Sequence, residues 1–135
     1  MLTVGQTYDY EFKFSQTDVV AFANVTGDKN PVHLDEAFAA KTIFKRRIMH
    51  GMLSASVFSK VFGTLFPGEG TIYLKQSLDF LKPMYVDTDY VAVFTVKEII
   101  KDKNRAVIET VIKQKATEVV CISGEAMVMN IAMIK

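Results

Sequence analysis

Between His50 and Pro67 runs a segment that no ordinary surface position would satisfy. Met52, Leu53, Ala55, Val57, Phe58, Val61, Phe62, Leu65 and Phe66 spread over most of a helical circumference. A helix from Gly51 to about Phe66 would therefore need protein on nearly all sides, and the rest of the chain must wrap it. Pro67, Gly68 and Gly70 mark its end. Half of the 135 residues are hydrophobic, which is enough material for such a core.

The wrapping is β-structure. From Thr71 to Leu81 the residues alternate, with Thr71, Tyr73, Lys75, Ser77 and Asp79 on one side. Ile72, Leu74, Leu78 and Phe80 fall on the other, together with Gln76 as an outlier. Asp89–Ile100, Arg105–Lys113 and Glu118–Ile131 are further β-rich runs, joined by turns at Asp102-Lys103-Asn104 and Gln114 to Thr117. Thr7–Phe14 makes five strands. A shorter helix follows Ser15, which with Asp18 forms a capping box; Val19, Val20, Phe22 and Ala23 give it an apolar face and Gly27 stops it. The order strand, helix, helix, four strands lacks βαβ alternation, so the fold class is α+β: one antiparallel five-stranded sheet wrapped around one long buried helix, in a single domain spanning 1–135. Several strands are apolar on both faces, Val91, Val93 and Phe94 among them, which points to burial by a second subunit.

Composition removes several functions. Sixteen basic against fifteen acidic residues leave a charge of +1, without the electrostatic surplus that a nucleic-acid partner requires. No apolar run is long enough to cross a bilayer, and Met1 to Tyr10 lacks the zones of a signal peptide. Cys121 is the single cysteine, so no internal disulfide or cysteine zinc cage forms; within Val119-Val120-Cys121-Ile122 it reads as a core residue. These features lead us to expect a cytoplasmic protein.

Chemistry concentrates between the two helices, in Phe22-Ala23-Asn24-Val25-Thr26-Gly27-Asp28-Lys29-Asn30-Pro31-Val32-His33. Asp28 and His33 can trade protons near neutrality. Gly27 allows the left-handed turn out of the helix, and Pro31 fixes its own φ while holding Asn30 extended. The connection between carboxylate and imidazole is thus stiff, as holding one water between two groups requires. Taken alone, the same residues also read as a polar turn in which His33 caps a short helix. Farther on, Ile48-Met49-His50-Gly51-Met52-Leu53 opens the buried helix. Its free N–H groups and partial positive charge suit an oxyanion, and Gly51 lets a ligand oxygen approach the backbone. Packing alone would also account for a glycine there.

These motifs carry a resemblance. Phe22-x2-Val25-Thr26-Gly27-Asp28-x-Asn30-Pro31-x-His33-x5-Ala39, followed by Ile48-x-His50-Gly51-Met52-Leu53, resembles the MaoC-like family of (R)-specific enoyl-CoA hydratases, with Phe80-x2-Pro83 a weaker match. The resemblance implies a hotdog fold, homodimers whose sheets join edge to edge, and sites at the subunit interface. It implies that Asp28 and His33 hold the water added across a 2-enoyl thioester, with the Gly51 N–H polarising the carbonyl. No metal or cofactor is implied beyond the coenzyme A of the acyl-CoA substrate.

Candidate substrate contacts are Asn30, which more simply braces the loop, and Ser59, two turns into the buried helix, which the resemblance offers for a catalytic or water-positioning role and which otherwise bonds a helical carbonyl. Arg46 and Arg47, in the basic run that starts at Lys45, suit coenzyme A phosphates. A solvated face is the plainer reading of the same run. His50 reads as a residue supporting the site from behind or as structural, since Gly51 already fills the donor role. Lys45 and Met49 depart from the residues common in relatives and could alter the pocket mouth. The neighbouring readings are a (3R)-hydroxyacyl-[acyl-carrier-protein] dehydratase, a hotdog thioesterase, and a non-catalytic acyl-CoA-binding hotdog.

Overall fold

The apolar segment after His50 does become the central rod. In a computed structural model covering residues 1–135, helix α4 spans Gly51–Thr64 and lies against an antiparallel sheet. Leu53, Ala55, Val57, Phe58, Val61 and Phe62 bury toward that sheet. Phe58 and Phe62 meet the Phe94 ring edge-on at 5.7 and 5.3 Å. Each of these buried aromatics contributes about 1.5–3 kcal/mol relative to exposure. The wrapping is incomplete in one chain, however. Met52, Ser56, Ser59 and Lys60 form an exposed strip, with Met52 58% accessible, because the sheet covers only one side of α4.

Before α4 come β1 (Thr7–Phe12), α1 (Gln16–Thr26), α2 (Pro31–Leu34) and α3 (Glu36–Ala40). After it come β2 (Ile72–Gln76), β3 (Asp79–Phe80), β4 (Tyr90–Ile100), β5 (Arg105–Gln114) and β6 (Val120–Met129). The sheet order is β1-β4-β5-β6-β2, with β3 also pairing β6. Helix α1 begins as expected: Asp18 N–H donates to Ser15 Oγ, and Ser15 N–H donates to Asp18 Oδ2.

Six strands replace the five expected, and the reason lies in β6. The run from Thr71 to Leu81 breaks after Gln76, where Ser77 crosses over Gly124; a Cβ on Gly124 would lie 1.9 Å from the Ser77 carbonyl oxygen. Only glycine admits that crossing. A bulge between Tyr73 and Lys75 also resets the alternation. Tyr73 pairs with Val128 and Gln76 with Ala126, both inward-facing partners. Tyr73 and Gln76 therefore share the face turned to α4, and Ile72 points away. Gln76 Nε2 donates to Thr110 Oγ1 at 2.8 Å, and the Tyr73 hydroxyl donates to Gln76 Oε1, so the polar outlier has its partners within the chain. Burial pushes the Tyr73 phenol up to about 12. Cys121 sits in the core, where burial raises its thiol. No helix is long and apolar enough to cross a membrane.

Candidate active site

The connection between α1 and α2 is a chain of side-chain braces. Gly27 takes φ 80° and closes α1. Asp28 N–H donates to Thr26 Oγ1 at 3.1 Å, and Asn30 N–H donates to Asp28 Oδ1 at 3.4 Å. Asn30 Oδ1 caps α2 by accepting from Val32 N–H at 3.2 Å, and Pro31 opens that helix. Gln16 Nε2 donates to the His33 carbonyl at 2.9 Å, fastening α2 to α1.

His33 follows inside α2 and is buried. Its Nδ1 lies 2.8 Å from the Ile48 carbonyl. A carbonyl only accepts, so Nδ1 carries the proton and Nε2 keeps a lone pair. The His50 ring stacks on it with centroids 3.8 Å apart and planes 31° apart. By the same logic His50 Nε2–H donates to the Asp28 carbonyl at 2.9 Å. One donor atom from each of Asp28, His33 and His50 lies within 4.8 Å of the others. The two rings overlap at that tilt, with His33 Nδ1 and His50 Nε2 already engaged by the Ile48 and Asp28 carbonyls, which leaves one ring nitrogen on each.

These residues line a cavity of about 430 Å³ with Gly51, Ser54, Phe44, Met49, Phe80 and Lys82. Gly51 is the first residue of α4, so its N–H has no acceptor within the helix. The Phe80 ring lies over it: a Cβ at position 51 would sit 2.6 Å from Phe80 Cε1. Burial, reinforced by the nearby His50, holds the His33 imidazole below its usual 6.5; the Ile48 hydrogen bond and Asp28 pull the other way and lose. His33 is then neutral at pH 7.

Unfolded His33 binds its proton near 6.5 and folded His33 only at lower pH, so stability is full above 6.5 and lost as pH falls through the folded value. The His33 Cε1–Hε1 resonance is expected to titrate with a midpoint below 6.5; a midpoint at or above that value would contradict the burial seen here.

The family model described as "MaoC like domain" matches residues 2–120. The chain belongs to the MaoC-like family. The (R)-specific enoyl-CoA hydratase of Aeromonas caviae is 43% identical over 127 residues, covering 94% of each chain. The 3-hydroxybutyryl-CoA dehydratase of Methylorubrum extorquens is 43% identical over 105 residues, 78% of this chain and 67% of that one. The solved (R)-hydratase from A. caviae involved in PHA biosynthesis superposes with a TM-score of 0.91, covering 96% and 97% of the two chains at 43% identity. The fold is the hotdog fold, α4 being the rod and the antiparallel sheet its wrap.

Within this MaoC-like chain, Asp28, His33 and Gly51 share the cavity, while the other sequence candidates fall outside it. Asn30 is spent on capping α2. Ser59 lies on the exposed strip of α4, in a separate groove with Phe22, Tyr73 and Gln76. Arg47 Nε pairs with Glu36 at 2.9 Å, and the Arg46 guanidinium stacks 3.5 Å from the Tyr85 ring centroid, so both cations already have partners. Lys82 is the one Lys or Arg that lines the cavity, and sequence reading passed over it. Ser54 was also missed: it is fully buried and its Oγ has no partner. Its position, three residues after Gly51 on the same helical face, was the available signal. Met49 is buried in the cavity wall, whereas Lys45 holds a left-handed turn at φ 65° before α4.

Proposed function

We propose that this MaoC-like protein is an (R)-specific enoyl-CoA hydratase, a hydro-lyase adding water to trans-2-enoyl-CoA to give (R)-3-hydroxyacyl-CoA, reversibly. The observation that carries the reading is the meeting of three groups in one cavity: the Asp28 carboxylate, the free Nε2 of a neutral His33, and the unpaired Gly51 N–H. Asp28 and His33 donor atoms lie within 4.8 Å, a gap that one water bridges with two hydrogen bonds of about 2.8 Å. Water oxygen bonds to Cβ as the pair takes one of its protons, and the pair returns a proton to Cα on the same face. The Gly51 N–H carries the enolate-like charge that builds on the thioester oxygen. The thioester itself activates Cβ, so the reaction needs no metal or redox group beyond the coenzyme A of the substrate. Lys82 at the cavity wall is the cation available to the coenzyme's phosphates.

The acting unit is a homodimer in this reading. Strand β2 is an open edge of the sheet, and Ile72, Leu74, Phe80, Leu81 and Met52 stand exposed on and around it. An unprotected edge flanked by apolar side chains favours pairing with a second copy.

Loss of the enoyl-thioester absorbance on mixing with crotonyl-CoA tests the assignment. Bleaching without release of free thiol is the expected result. Thiol release would instead mark a thioesterase, binding without either change a non-catalytic module, and a rate far higher on the carrier-protein thioester an acyl-carrier-protein dehydratase.

A further inference from the structure

His50 stands at the N-cap of α4, where Ser, Thr, Asp or Asn would accept hydrogen bonds from the helix's free N–H groups. Its ring accepts none. It is 2% exposed, and its Nδ1 is buried without a partner. Both features disfavour histidine on stability grounds alone. What the ring does instead points at the site. Nε2–H donates to the Asp28 carbonyl, one face stacks on His33 at 3.8 Å, and Phe22 packs against it at 4.9 Å. In its remaining hydrogen bonds Asp28 N–H donates to Thr26 Oγ1 and its Oδ1 accepts from Asn30 N–H, inside the same turn. His50 is thus the only side chain outside that turn that ties Asp28 down.

We infer that His50 is a positioning residue for hydration: its Nε2–H fixes the Asp28 backbone and its ring face sets the plane of His33. Since His50 precedes Gly51 directly, a single residue holds the acid–base pair in register with the carbonyl-polarising amide. The inference rests on the hydratase reading of the site.

Three substitutions test it, assayed by crotonyl-CoA hydration. His50→Leu keeps bulk and removes the donor. His50→Gln places an amide N–H near the position of Nε2, and His50→Asn carries the same amide one carbon short of the Asp28 carbonyl. We expect His50→Leu to lower kcat about 100-fold, the cost typical of misplacing a reacting group by an ångström, with KM nearly unchanged. His50→Gln should stay within about tenfold of wild type, with His50→Asn near the leucine variant. A folded leucine variant with wild-type kcat, a loss confined to KM, or equal rates for Gln and Asn would each overturn the inference; the Gln–Asn comparison decides if the leucine variant does not fold. A wild type that fails to hydrate crotonyl-CoA would overturn the hydratase reading instead.

Discussion

Asp28→Asn and His33→Asn are each expected to lower kcat/KM for crotonyl-CoA hydration by about 100- to 10,000-fold, the usual share of a positioned acid or base. That range corresponds to about 3–5 kcal/mol of barrier. Both replacements are chosen to leave the fold standing. Asn at 28 keeps an oxygen to accept from Asn30 N–H, and the Asp28 carbonyl that receives the His50 bond is backbone. Asn at 33 keeps an N–H near the place of Nδ1, facing the Ile48 carbonyl, while Nε2 disappears. Melting temperatures near wild type would confirm that only chemistry was removed. Because one water is shared, the two losses should not add: the double variant should be about as slow as the slower single one. Additive losses, or either single variant within tenfold of wild type, would remove the shared-water mechanism.

What the sequence made legible is what four or five neighbouring residues decide among themselves. The Ser15–Asp18 box, the left-handed Gly27 at φ 80° and Pro31 at the start of α2 are set by side chains bonding their own backbone. The elbow carrying Asp28 and His33 is made only of such terms, so its stiffness could be read directly. The rod was legible from its apolar circumference, though the strip left open by Met52, Ser56 and Ser59 was not, because which side of α4 the sheet leaves bare depends on contacts far away in sequence.

The illegible features all depend on distant partners. The bulge that turns Tyr73 inward is settled by the register of β6, and the break at Ser77 by Gly124, 47 positions away in sequence, which lets the chain cross. The same holds for charges. Arg47 finds Glu36, eleven residues back, and Arg46 finds Tyr85 from a different loop, whereas Lys82, isolated in the sequence, is brought to the cavity. A run of three cations reads as a phosphate site only while their partners are unknown. His50 illustrates the same limit from inside the motif: its neighbour Gly51 was legible as a donor, but the bond to Asp28 spans 22 residues and exists only once α4 packs beside the elbow.

Gly51 offers the second large effect, and its geometry permits an unusually clean test. Alanine there would mix two causes, since its Cβ would meet Phe80 Cε1 at 2.6 Å. In a Phe80→Ala background that obstacle is gone, and alanine and proline at position 51 differ chiefly in one atom's hydrogen. Proline lacks the N–H but suits the first position of a helix, and His50, at φ −60° and ψ 132°, already has the extended backbone that a following proline requires. Gly51→Pro should therefore lower kcat about 100- to 1,000-fold relative to Phe80→Ala alone, the cost of one oxyanion donor. Gly51→Ala in that background retains the N–H and should stay within about tenfold. The Leu53 and Ser54 N–H bonds to the His50 carbonyl are untouched by either change, so α4 should melt with the rest of the protein as before. Equal activity of the proline and alanine variants would mean that the thioester oxygen is polarised elsewhere, and the partnerless Ser54 hydroxyl, one turn along the same face, would be the group to examine next.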